Sequence, residues 1–158
     1  MLTTALLVVH VIGVIIWIGG LTFVTIVFFP MMYKTEGSFE KALLFQRVEH
    51  RFAGIVRWIV VIVGVTGFML LSAKFGNNFL AVREGLGTLI MLGAWILYIL
   101  VLLSERKLFE KLFSDPERIN MNRALKVINA LHWVLLTISY AAVATGVWFG
   151  HLPAPAAP

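Results

Sequence analysis

The apolar positions of this chain gather into four long runs separated by three polar connections. They extend approximately over Leu2–Phe29, Phe52–Ala73, Gly85–Leu103 and Ala124–Phe149. A helix needs roughly 20 apolar residues to cross a hydrocarbon core, and each run is long enough. The pattern therefore predicts an all-α, integral membrane four-helix bundle, and short connections between antiparallel neighbours make it up-down-up-down. Helix one is expected to end near Pro30, whose ring cannot continue the hydrogen-bond ladder without a kink. Gly37-Ser38 reads as a turn with Ser38 as N-cap. Phe39, Leu43, Val48 and Phe52 then recur at helical spacing, as an amphipathic lead-in running straight into helix two. Gly76-Asn77-Asn78 is an outer turn. Helix three should start near Arg83-Glu84 and continue past the membrane through Leu108, Phe109 and Leu112. Asp115-Pro116 reads as an N-cap followed by proline at N1, so helix four is expected to begin before it enters lipid. One domain covers 1–152, and the Pro/Ala tail 153–158 is expected to be disordered.

Composition agrees with this class. The chain is 60% hydrophobic and 13% charged, with a mean hydropathy of +0.93, which excludes an ordinary soluble domain. The first run is expected to stay in the protein as helix one: it lacks a basic n-region, is too long for an h-region and has no small-x-small cleavage site. Cysteine is absent, so disulfides, thiolate metal sites, iron–sulfur clusters and c-type haem attachment are excluded, leaving histidine, methionine and carboxylate as ligands.

Charge placement predicts orientation. Lys34, Lys41, Arg47, Arg51 and Arg57 surround the first connection; Arg106, Lys107, Lys111, Arg118, Arg123 and Lys126 surround the third; only Lys74 and Arg83 flank the second. The positive-inside rule puts connections one and three in the cytoplasm and both termini outside, in a bacterial-type inner membrane. The net charge of +5 is thus a topology signal first and an attraction to anionic lipid second. Nucleic acid is not an expected partner, because Glu36, Glu40, Glu49, Glu105, Glu110, Asp115 and Glu117 are mixed among the bases.

Candidate chemistry lies in the histidines. His10, His50 and His132 fall at or inside apolar runs, His151 follows the last of them, and ionisable groups are costly to bury in a bilayer. His10 shares a face with Gly13, Trp17 and Gly20, at offsets of three, seven and ten; such small residues let a helix or a flat cofactor approach. His50, Gly54 and Arg57 fall on one side of helix two, with Arg51 adjacent. Arg57 needs an anionic partner or a snorkelling route: a haem propionate, Glu49, Glu84 or a lipid phosphate would serve. Thr88, Met91, Trp95, Tyr98 and Leu102 form a packing stripe on helix three in which Trp95 and Tyr98 could line a cofactor. His132 sits roughly 10 Å from the cytoplasmic end of helix four, whereas His10 lies in the opposite leaflet, about 15 Å away along the normal. One subunit cannot bring those two to a single iron. The natural pairings are His50 with His132 on the inner side and His10 with His151 on the outer side.

The stretch His10-Val11-Ile12-Gly13-Val14-Ile15-Ile16-Trp17-Ile18-Gly19-Gly20-Leu21, with Pro30 beyond it, resembles the first helix of the CopD-like copper-resistance membrane proteins. Phe45-Gln46-Arg47-Val48-Glu49-His50-Arg51-Phe52, followed by Gly64-Val65-Thr66-Gly67, looks like the second helix of that group. The chain is also similar to the HemJ-type protoporphyrinogen oxidases, four-helix haem proteins with a histidine, tryptophan and Gly-Leu opening, in which His10 would match the first-helix histidine. The resemblance implies a histidine-dependent membrane protein handling haem or copper.

Three functions follow. The first is a b-type haem protein with one or two haems, moving electrons or acting as a membrane oxidoreductase on quinol, superoxide or a porphyrinogen. His10, His50, His132 and His151 are its candidate ligands, Arg51 and Arg57 its propionate partners, and Trp17 a lining ring. The second is a copper carrier or channel, although Met31, Met32, Met69, Met91 and Met121 do not form the closely spaced pairs expected along a conduction path. The third is a cofactor-free structural subunit. The glycine-rich faces would suit a homo-oligomer, and a quinone or a redox protein is a candidate partner.

Overall fold

The computed structural model describes residues 1–34, 37–76, 85–113 and 121–150. Their elements are α1 (Leu2–Phe23), a π-helical turn (Val24–Phe28), α2 (Phe29–Lys34), α3 (Ser38–Phe75), α4 (Gly85–Phe113) and α5 (Met121–Gly150). α1, the π turn and α2 run on as one rod. Four helical segments, Leu2–Lys34, Leu43–Lys74, Gly87–Ser104 and Asn122–Phe149, are long and apolar enough to cross a bilayer. The chain is an all-α four-helix membrane bundle. Backbone polar groups in lipid must be satisfied within the segment, which a helix does. Hydroxyls in the spans follow the same logic: Thr22, Thr25, Thr137 and Ser139 each donate to the carbonyl four residues back, at 2.7–2.9 Å.

Pro30 does not end the first helix, contrary to expectation. The rod continues to Lys34 because the π turn immediately precedes the proline. Proline lacks an N–H and its ring crowds the carbonyl four residues back, that of Ile26, which lies in the π turn. The wider turn accommodates the ring without a break. The lead-in does run unbroken into the second span, but Gly37 rather than Ser38 is the N-cap. Gly37 has φ of 82°, a left-handed conformation that glycine adopts at no steric cost. The third helix continues to Phe113 as expected. Arg83, Glu84, Asn77, Asn78, Asp115, Pro116, His151 and the tail lie outside the described residues.

Two antiparallel hairpins build the bundle. α1 packs most extensively on α3, and α4 on α5, whereas α3 and α4 touch sparsely. A Cβ on Gly13 would lie 2.7 Å from Val63, and one on Gly20 would lie 2.5 Å from Phe52, so these glycines let α1 and α3 close on each other. Gly87 and Gly146 do the same for the other hairpin, against Phe149 and Met91. Between the hairpins a mid-bundle core joins Trp17, Leu21, Val60, Tyr98 and Leu136. A second core at the α2 end joins Phe28, Phe29, Met32, Phe45 and Leu125. Trp95 of α4 is the main clasp across the seam: its indole fills the space above Gly64, and its N–H donates to the Val60 carbonyl at 2.9 Å. Outward-facing positions such as Ile15, Trp58, Leu103 and Val127 are apolar and exposed, as lipid contact requires.

Candidate functional site

Two cavities lie along the seam between the hairpins. The first, of about 310 Å³, is bordered by His10, Gly67, Phe68, Lys74, Met91 and Trp95, among others. The second, of about 230 Å³, is bordered by Glu49, Phe52, Tyr98, Leu102, Leu131 and His132, among others. Trp17 borders both. His10 and His132 therefore belong to different cavities, as their opposite depths require.

His10 is held by α3. Its Nδ1 lies 3.1 Å from the Val63 carbonyl oxygen and 3.0 Å from Thr66 Oγ1. The Thr66 hydroxyl donates to the Ile62 carbonyl at 2.7 Å, so towards the imidazole its oxygen is an acceptor. Both neighbours of Nδ1 are acceptors, and Nδ1 must carry the proton. The neutral ring then keeps its lone pair on Nε2, the tautomer a ligating or proton-accepting imidazole uses. The ring can lie this close to α3 because Gly67 has no side chain: a Cβ there would meet His10 Cε1 at 3.1 Å.

His132 repeats the arrangement within its own helix. Its Nδ1 donates to the Ile128 carbonyl at 2.9 Å. Its ring meets Phe29 edge-on at 5.1 Å. Beside it in the second cavity stands Glu49, a buried carboxylate one turn below Phe52.

His50, Arg51 and Arg57 go elsewhere. All three are exposed and border neither cavity, so the structure brings Glu49, not His50, to the cavity of His132. One residue along a helix turns a side chain by about 100°, which separates the buried Glu49 from its exposed neighbour. Trp17 stacks edge to face on Tyr98 at 4.4 Å, with Ser139 alongside. The Trp17 N–H and the Tyr98 hydroxyl are buried between the cavities, and neither makes a hydrogen bond of good geometry.

A haem held by a single axial ligand would need only one imidazole from the protein. Each cavity offers one histidine whose Nδ1 is anchored, and the first also carries a thioether, Met91, and a rim cation, Lys74. Its volume lies at the lower end of the ~300–1,000 Å³ range of cofactor and ligand sites, and that of the second cavity falls below it. Among the described residues no three or more His, Cys, Asp or Glu side chains gather as a metal-ion site. Thr66 and Glu49 are the residues that sequence reasoning did not place in a site. The Gly64-Val65-Thr66-Gly67 run carried the signal for Thr66, since a hydroxyl between two close-packing glycines faces the neighbouring helix. No protein-family model, curated protein or solved structure matches the chain.

Proposed function

We propose that the chain is a histidine-ligated, b-type haem membrane protein that carries out electron transfer or oxidoreduction, with His10 as its principal axial ligand. The observation that carries this reading is the fixed His10 tautomer: two acceptors hold the proton on Nδ1 and leave Nε2 with a lone pair, on a residue bordering an apolar cavity. A porphyrin brings four nitrogens of its own, so one imidazole suffices to hold it. A bare copper ion needs several protein donors at one place, and among the described residues no three His, Cys, Asp or Glu side chains gather, which favours haem over copper transport.

Bound haem supplies one-electron chemistry, and the protein sets potential and access. His10 ligates, with Val63 and Thr66 fixing its ring plane. Val14, Phe68, Leu71 and Leu92 exclude water, and Lys74 borders the same cavity. A second haem at the inner cavity bordered by His132 would make the pair an electron path across the bilayer. Quinol, superoxide and a porphyrinogen remain the candidate substrate classes. Basic residues at the first and third connections support placing both termini outside an inner membrane.

Titration of the detergent-purified protein with haemin tests this. The wild type should develop a saturable Soret band, His10→Ala should lose the tighter phase, and His50→Ala, altered at an exposed position, should match the wild type. A wild-type titration indistinguishable from haemin in detergent alone would sink the proposal.

A further inference from the structure

One face of α3 is unlike the rest of the lipid-facing surface. Arg47, His50, Arg51, Gly54, Arg57 and Trp58 are all exposed. At 100° per residue they share a single arc of about 120°. The opposite side of the helix holds the buried Phe45, Glu49, Ala53, Val56 and Val60. Among the described residues none pairs with the guanidinium of Arg47, Arg51 or Arg57. Glu40, the acidic residue nearest in register on this face, is seven positions before Arg47.

Depth makes the arrangement specific. Arg57 lies well inside the apolar segment Leu43–Lys74, and about 9 Å beyond Arg51 along the axis. An arginine facing hydrocarbon at that depth must snorkel to reach an anion. Helical side chains tilt towards the N-terminus of their helix, and the N-terminus of α3, at Ser38, lies on the side of Arg51 and Arg47. Arg57 therefore leans back towards the other two arginines. Gly54 sits between the two levels, and a Cβ there would touch nothing within 4 Å, so the space between is open. Trp58, 74% exposed, stands beside it on the lipid-facing surface.

We infer that this face is a binding site for an anionic phospholipid, whose phosphate is held by Arg51 and Arg57 over Gly54, with Arg47 and His50 towards the aqueous side and an acyl chain running along Trp58 and Val61. Charge complementarity chooses the occupant: three cations with no partner among the described residues share this face, and each contributes to attraction of anionic lipid. The site needs only the membrane-spanning fold and stands whether or not the chain binds haem.

The test uses the full chain in phosphatidylcholine bilayers containing a trace of spin-labelled phosphatidylglycerol or spin-labelled phosphatidylcholine, with the motionally restricted fraction read by electron spin resonance. The wild type should prefer phosphatidylglycerol on the order of tenfold, and the preference should fall with added salt. Arg51→Gln with Arg57→Gln should bring it to within about twofold of phosphatidylcholine, while Arg57→Lys keeps most of it. Lys126→Gln removes an exposed charge elsewhere and should leave it unchanged. No preference in the wild type, or an equal loss in Lys126→Gln, would overturn the site and leave only general attraction of a basic protein.

Discussion

His10 is set by residues 53 and 56 positions further along the chain, Val63 and Thr66. Its presence in an apolar run, with Gly13 and Trp17 on the same face, is legible from spacing alone. Its partners are not, because they depend on the register in which α3 packs on α1. Thr66→Val keeps the shape and deletes one acceptor, leaving the Val63 carbonyl to hold the ring. Loss of such an orienting partner typically costs 10–100-fold in affinity at a metal site. On the proposed function, haemin affinity should fall by roughly tenfold, while thermal stability changes by only about 1 kcal/mol, the worth of one hydrogen bond. An unchanged titration would remove Thr66 from the site. His50 shows the converse: depth alone suggested a partnership with His132, but helical phase turns His50 outward and Glu49 inward. A helix position carries both coordinates, and only packing reveals the second.

The elements themselves were largely readable, since an apolar run of membrane length has few alternatives to helix. Their irregularities were not. Pro30 reads as a stop, and what keeps it inside a continuous rod is the π turn at Val24–Phe28, a backbone feature with no residue signature in VTIVF. Helix contacts were half readable: glycines mark close approach but not what approaches. Gly64 and Gly93 separate the cases. A Cβ on Gly64 would collide with the Trp95 indole, the main clasp between α3 and α4, whereas one on Gly93 would touch nothing within 4 Å. Gly64→Ala should therefore destabilise the bundle by about 1–3 kcal/mol, as overpacking does. Gly93→Ala should be neutral or stabilising by up to about 1 kcal/mol through helix propensity. Reversible denaturant titration of both variants in detergent checks this, and equal effects would contradict the clasp.

At the scale of the whole molecule, the two hairpins leave their cavities stacked along a sparse seam, with Trp17 and Tyr98 between them. The antiparallel order follows from short connections and was foreseeable; the seam was not, because nothing in the four runs says which pairs pack tightly. Orientation is testable with little disturbance, since the chain has no native cysteine. In intact cells or right-side-out vesicles, a membrane-impermeant maleimide should label Thr3→Cys and spare Gln46→Cys until the membrane is permeabilised. The reverse pattern would invert the assignment of the basic connections to the cytoplasm.

The most direct test of the haem reading is a reduced-minus-oxidised visible spectrum of the protein as purified after expression with adequate haem supply, together with a pyridine haemochrome assay of haem per chain. A b-type α-band carried by one or two haems per chain, reduced or lost in His10→Ala and lowered again by His132→Ala, is the expected result. A colourless preparation, or a spectrum that neither substitution alters, would contradict it.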